Sequence, residues 1–318
     1  MKAIGGFFGL EPGPPRAGPH PRAEWLSTGR ACLASVLRAV RPRAVWVPFY
    51  CCDSLLQPLD KVQTRWWSLG PDLLPTDPPE VEDDELFVYV DWFGLWDHGV
   101  GALAEQYGDR LVVDATQAFY RPAPRHGWAF GSARKFLGVP DGAWLTGPKP
   151  TLHDSDPRAE PRLEHLVGRL ERGPEAAWSS FQAFEADLDA SIRRISRTSR
   201  QLLDSVDHRA IAARRRANFS VLHQLLGPAN QLRLDTTTSQ VPHSYPFLPQ
   251  RPLDRRRLQA QRLYVPTFWE AVLSRPGAAR FELERELARR LLPLPLDQRY
   301  TGDDMERLAE AVLALVGS

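Results

Sequence analysis

The segment FGSARKFLGVPDGAW, residues 130–144, sets a short polar island, Ser132 to Lys135, between two apolar patches and closes on a Pro-Asp-Gly turn. WAFGSA and AWLTG, on either side of the turn region, read as two neighbouring strands, so Ser132 and Lys135 fall where the first strand ends. Lysine is scarce in this chain. Of forty Lys plus Arg, only Lys2, Lys61, Lys135 and Lys149 are lysine. Arginine supplies the surface cations, and a lysine inside an apolar segment can do what arginine cannot: shed its proton when desolvated and attack a carbonyl. The plainer reading is a lysine snorkelling from a strand end.

Upstream, the pattern alternates between two periods. TGRACLASVLRAV has helical apolar spacing, AVWVPFY is a buried-strand run, DSLLQPLDKV is helical and TRWWSL is extended. LFVYVDWFG, a helical VGALAEQYG and then RLVVDATQ continue the series. Short apolar strands separated by helices predict an α/β fold with a mostly parallel sheet covered on both faces.

From about residue 150 the composition shifts to a long, Arg-rich helical region, Glu160 to Leu226, whose charges read for the most part as a solvated helix face. Strands are expected around QLRLDT and PHSYPFL, and helices around LDRRRLQAQRLY and ELERELARRLL. A last helix starts at Thr301, where Asp304 three residues on completes a capping box. This tail is a smaller α+β unit joined by long helices. Pro-rich stretches lie near residues 12 to 22 and 71 to 79, and no internal repeat is present.

With 318 residues, 43% of them hydrophobic, the chain can bury a large core. A net charge of +1 gives no electrostatic case for nucleic acid or an anionic membrane, and no apolar run is long enough to span one. The N-terminal segment lacks the apolar stretch of a signal peptide, so a soluble, cytoplasmic protein is expected. Cys51 and Cys52 are adjacent and Cys32 stands alone, neither a disulfide framework nor a zinc spacing, and no metal site is expected. His98 is expected to line a loop.

In open α/β sheets ligands sit beyond the carboxyl ends of the strands. There stand Asp114 and Gln117, after RLVV, and Ser132, Arg134 and Lys135, after WAFG. STGR, residues 27–30, opens the first helix with Thr28, Gly29 and Arg30, whose N–H groups, hydroxyl and dipole suit a phosphate. Singly, that segment reads as an ordinary N-cap, Asp114 as a turn cap and Arg134 as a surface cation. Together they suggest a cofactor with a phosphate, an aldehyde for a lysine amine and a ring nitrogen that wants a carboxylate. Pyridoxal phosphate has all three.

STGRACL, VWVPFYCCDSLLQPL, YVDWFG, VVDATQAF, SARKFLGVPDGAWL, RRRANFSVLHQLL and LPLPLDQRY, in this order and rough spacing, resemble the DegT/StrS family of sugar aminotransferases, a branch of the fold-type-I pyridoxal-phosphate enzymes. The opening IGGFFGLE is similar to a short, less characterised branch often associated with surface-polysaccharide loci. The resemblance implies a large domain, residues 1–190, with a mostly parallel seven-stranded sheet, a small C-terminal α+β domain, residues 191–318, with the linking helices, and a homodimer with active sites at the interface. It implies Lys135 as the Schiff-base lysine, Asp114 as partner of the pyridine nitrogen and Gln117 at the ring oxygen. Thr28, Gly29 and Arg30 would hold the phosphate, with Ser132 completing the cup and Arg134 a further candidate. Where many relatives place an aromatic over the ring this chain has PFYCC, which gives the stacking to Tyr50, or to Cys52 in its place. SRTSR, through Arg197 and Ser199, is the candidate for closing the phosphate site from a partner subunit.

The activity so implied moves an amino group from an amino-acid donor, glutamate first, to a keto-sugar acceptor carried on a nucleotide. Three rival readings stand against it. A sugar dehydratase of this fold would replace the lysine with histidine, and Lys135 is retained. A non-catalytic binding or scaffold protein would keep the fold and turn nothing over. A nicotinamide enzyme would want a Gly-x-Gly-x-x-Gly loop after the first strand, and none is present.

Overall fold

The computed structural model describes residues 9–234 and 240–317. A strand β1 (Glu24–Leu26) leads into helix α1 (Gly29–Val40), strand β2 (Ala44–Pro48), the short helix α2 (Asp53–Leu56), β3 (Gln63–Trp67), β4 (Glu85–Val90), α3 (Asp97–Tyr107), β5 (Leu111–Asp114), β6 (Trp128–Ser132) and β7 (Ala143–Thr146). These strands make one seven-stranded sheet in the order β1-β7-β6-β5-β4-β2-β3. The run from β6 to β3 is parallel, while β7 lies antiparallel to β6 and to β1. The expected mostly parallel, seven-stranded sheet is therefore the one observed, and WAFGSA and AWLTG are neighbours in it. All six residues of β4 and all four of β5 are buried, as in a sheet covered on both faces.

The Pro-Asp-Gly turn is a clamp. Asp141 is buried, and its carboxylate accepts from Ser196 N–H at 2.8 Å and from the Ser199 hydroxyl at 2.8 Å. It thereby fixes the start of α6 (Arg197–Ser205), whose N-cap is Ser196. Gly142 follows at φ +124°, where a Cβ would stand 3.0 Å from Ile195 Cδ1, so only glycine lets the turn press against the segment leading into α6.

The Arg-rich stretch from Glu160 to Leu226 is not continuous helix. It divides into a hairpin of α4 (Glu164–Arg172) and α5 (Pro174–Ala186), then α6, then α7 (His208–Leu226). Gly173 at φ +87° followed by Pro174 makes the break between the hairpin arms. Beyond α7 come β8 (Ser244–Phe247), α8 (Arg255–Gln259), α9 (Glu282–Arg290), β9 (Leu292–Pro295) and α10 (Gly302–Val316). Thr301 caps α10 with the expected box, its hydroxyl accepting from Asp304 N–H while Asp304 accepts from Thr301 N–H.

Three local expectations need correction. The helix around LDRRRLQAQRLY shrinks to the five residues of α8, and residues 231–234 of QLRLDT form no strand, the remaining two lying outside the described residues. Strand β9 runs through LPLP, where alternate prolines argue against a strand; it is tolerated because β8 and β9 form only a two-stranded sheet, with Pro246 opposite Pro293. His98 falls in the first turn of α3 and not in a loop, and its side chain is outside the described set, as are residues 4–8 of the IGGFFGLE opening.

Candidate active site

The carboxyl ends of β5 and β6 and the amino end of α1 meet around one cavity of about 570 Å³. Asp114 is the last residue of β5. It is 4% exposed, and its Oδ1 accepts from Thr116 N–H at 2.9 Å. Burial pushes its carboxyl above the ordinary range, and the Lys135 cation opposes that shift. Lys135 ends the single turn that follows β6, and its Nζ donates to Thr116 Oγ1 at 2.9 Å. Thr116 thus joins the two charged groups, touching the carboxylate with its backbone and the amine with its hydroxyl.

Next to Thr116, Thr28 caps α1, its hydroxyl accepting from Ala31 N–H at 3.0 Å. By helix geometry the N–H groups of Gly29 and Arg30 have no carbonyl four residues back to bond. A Cβ on Gly29 would stand 3.0 Å from Thr116 Cγ2 and 3.5 Å from the Phe130 ring, so glycine keeps open the space between the helix end and the sheet. Arg30 donates from Nη2 to Ser54 Oγ at 2.7 Å, while its buried Nε has no hydrogen-bond partner. Ser132 and Gln117 are buried and line the same cavity; Gln117 Oε1 accepts from Phe93 N–H at 2.8 Å, which leaves its amide NH₂ as the end that can donate.

Three expected residues sit differently. Tyr50 is fully buried and does not line the cavity: its ring meets Trp269 edge-on at 4.6 Å and its carbonyl accepts from Trp92 Nε1. Cys52, two residues on, does line it. The chain leaves β2 at Pro48, so the two-residue alternation of a strand no longer fixes which side chains face the cavity. Arg134 lines the cavity, but its guanidinium pairs with the Glu185 carboxylate of the hairpin and lies 4.8 Å over Phe184. Ser199 is fully buried on Asp141, so its hydroxyl has no reach toward a partner subunit, whereas Arg197 is exposed.

Sequence reading passed over residues that the C-terminal elements bring to the cavity: Arg215 from α7, His243 and Ser244 at β8, Phe268 and Trp269, and Asp297 after β9. Arg215 and Asp297 lie inside RRRANFSVLHQLL and LPLPLDQRY, the only signal they gave. Arg215 is 2% exposed and donates to the carbonyls of Pro242, His243 and Phe136 and to Gln298 Oε1. Burial lowers its pKa to about 10, which still leaves it charged at neutral pH.

The pocket fits pyridoxal phosphate. Unbonded N–H groups, an unpartnered guanidinium nitrogen, a space that a Cβ would fill, an amine and a buried carboxylate all line it. Among the described residues no group of His, Cys, Asp and Glu could hold a metal ion, and no helix is long and apolar enough to cross a membrane.

Comparison with solved structures gives matches along nearly the whole chain. A DegT DnrJ EryC1 StrS aminotransferase from Brucella abortus is 15% identical, with a TM-score of 0.64 over 93% of this chain and 86% of that one. The sugar aminotransferase CalS13 from Micromonospora echinospora is 19% identical, with a TM-score of 0.61 over 92% and 87%. Spr1654 from Streptococcus pneumoniae, in its PLP-form, is 11% identical, with a TM-score of 0.66 over 93% and 87%. At such identities the likeness is one of fold: this chain has the mixed α/β architecture of these aminotransferases. No family model matches the sequence, and no curated protein matches it.

Proposed function

We propose that the protein is a pyridoxal-phosphate-dependent aminotransferase that moves an amino group from an amino acid to a keto sugar. The observation that carries this reading is the junction at Thr116: a lysine amine and a buried carboxylate at the ends of adjacent parallel strands, on the same cavity as a helix amino terminus. The fold shared with sugar aminotransferases supports it.

Thr28, Gly29, Arg30 and Ser132 would hold the phosphate, Gln117 would donate its NH₂ to the ring oxygen, and Asp114 would face the ring nitrogen. The cofactor supplies an aldehyde carbon for an amine and an electron sink. The chain's own part is proton handling and electrostatics. Lys135 Nζ is the anchoring amine and, once released, the base that takes and returns a proton, with the Thr116 hydroxyl 2.9 Å away as its rest position. Asp114, shielded from water, keeps a proton on the nitrogen opposite it. Cys52, which lines the cavity where Tyr50 does not, would take the ring contact expected of an aromatic.

Glutamate as donor, a nucleotide-linked acceptor, a place in polysaccharide or glycan biosynthesis and the cytoplasm as location belong to the same proposal. So do a homodimer with sites at its interface and the division into a PLP-binding domain, 1–190, and a C-terminal domain, 191–318. Borohydride treatment of the protein loaded with pyridoxal phosphate is expected to fix the cofactor on Lys135 in a peptide map. An adduct on Lys2, Lys61 or Lys149 instead would refute the assignment.

A further inference from the structure

Part of the cavity wall is made by Phe268 and Trp269. Both are half-buried, and their rings stack with centroids 5.6 Å apart and 17° between planes. The pair is backed on each side: Trp269 by the buried ring of Tyr50, and Phe268 by Phe93, stacked at 6.2 Å and 6°. Its backbone is unusual. Trp269 lies at φ 60°, ψ 49° and Phe93 at φ 62°, in the left-handed region that side chains with a Cβ avoid. Two of the five non-glycine residues with positive φ among the described residues therefore belong to one aromatic stack. A disfavoured backbone held in place at a cavity wall points to what it presents, an aromatic surface in a pocket that also holds the charges of Arg30, Asp114, Lys135 and Arg215.

Beside this surface stands His243. Its N–H donates to Phe93 carbonyl at 2.8 Å, its carbonyl accepts from Arg215 at 3.1 Å, and its ring meets Phe136 edge-on at 5.6 Å. Burial and the cations of Lys135 and Arg215 hold its imidazole well below the ordinary histidine range, against a weaker pull from Asp297. Its Nδ1 meets Ser244 Oγ at 3.3 Å, which leaves Nε2 as the ring nitrogen for a further bond. Aromatic rings with one polar ring nitrogen beside them suit a pyranose, whose C–H face meets the negative face of a ring while a hydroxyl bonds at the rim.

We propose that Phe268, Trp269 and His243 form the acceptor subsite, with the apolar face of a pyranose ring against the Phe268–Trp269 rings and one of its hydroxyls on the His243 imidazole. Calling this ligand the acceptor rests on the aminotransferase reading; the saccharide subsite itself does not.

Saturation-transfer NMR on the protein loaded with pyridoxal phosphate tests it, with free glucose, galactose and mannose and their UDP-, TDP- and GDP-linked forms as probes. Transfer to pyranose ring protons is expected, with Kd raised at least about tenfold in Trp269→Ala and in His243→Ala and largely restored in Trp269→Phe. Trp269→Gly is expected to lose binding like the alanine variant yet melt at or above its temperature, because glycine adopts positive φ freely. Transfer to no sugar in the panel, transfer to nucleobase protons alone, or an unchanged Kd in Trp269→Ala overturns the subsite. Glutamate-dependent release of 2-oxoglutarate by the wild-type protein, measured in parallel, separates the two failures. Trp269-dependent sugar binding without that release overturns the aminotransferase reading and leaves the subsite standing; release without such binding does the reverse.

Discussion

Asp114 and Lys135 are 21 positions apart in the chain and one threonine apart in space, so the chemistry turns on how each charge is tolerated. Burial raises the Asp114 carboxyl above the pKa it has in the unfolded chain, and for an acid so shifted the contribution to stability falls as pH rises from the ordinary carboxylate range through the folded value. Asp114→Asn keeps an acceptor for Thr116 N–H and removes the buried charge. The variant without cofactor is therefore expected to melt no lower than wild type at neutral pH, with a flatter stability curve between pH 4 and 8 in thermal melts. Its turnover with cofactor should nevertheless fall at least about a hundredfold, each ~1.4 kcal/mol of lost transition-state stabilisation being tenfold in rate. A variant that kept full activity would make Asp114 a turn cap. Lys135 was legible because lysine is scarce and arginine cannot replace it; Tyr50 was misjudged because nothing in PFYCC tells which side chain turns inward once the strand has ended.

At the scale of elements, the turn after Lys135 is held from behind. Asp141 is buried against the first turn of α6, and replacing it with alanine strands Ser196 N–H and the Ser199 hydroxyl. The expected cost of Asp141→Ala is about 1–3 kcal/mol for the buried groups left unpaired, measured by urea denaturation. A loss below a few tenths of a kcal/mol would show that water reaches the turn and replaces the carboxylate. In the α/β half, β2, β4, β5 and β6 were readable because each is a short, mostly apolar run, and α1 because its apolar residues repeat at 3.6 residues. Periodicity failed where elements are very short, as with the three residues of β1, or where composition contradicts the local structure, as with the prolines of β9. It also merged α4 to α7 into one region, since Arg-rich amphipathic helices look alike across their breaks.

At the scale of the whole molecule, Arg215 ties the C-terminal elements to the lysine turn. Its guanidinium bonds the carbonyl of Phe136, next to Lys135, together with the carbonyls before β8 and Gln298 after β9, and lies 4.4 Å over the Phe136 ring. Gln298 Nε2 donates to the same Phe136 carbonyl at 2.7 Å. Arg215→Lys keeps the charge but not the fork of donors, and should cost about 3 kcal/mol or more by leaving buried carbonyls unpaired. A melting temperature within a degree of wild type would show that the fork is dispensable. No periodicity or motif could have foretold this hub, because its partners come from three segments far apart in the chain.

The central claim is that these elements assemble a transaminating site, and its donor half can be tested without knowing the acceptor. Excess glutamate, then glutamine and aspartate, added to the protein loaded with pyridoxal phosphate should bleach the cofactor's visible band and release the matching keto acid in an amount equal to the sites, while Lys135→Arg does neither. A loaded protein that keeps its band and releases no keto acid with any of the twenty amino acids would contradict the account and leave a cofactor-binding fold that does not turn over.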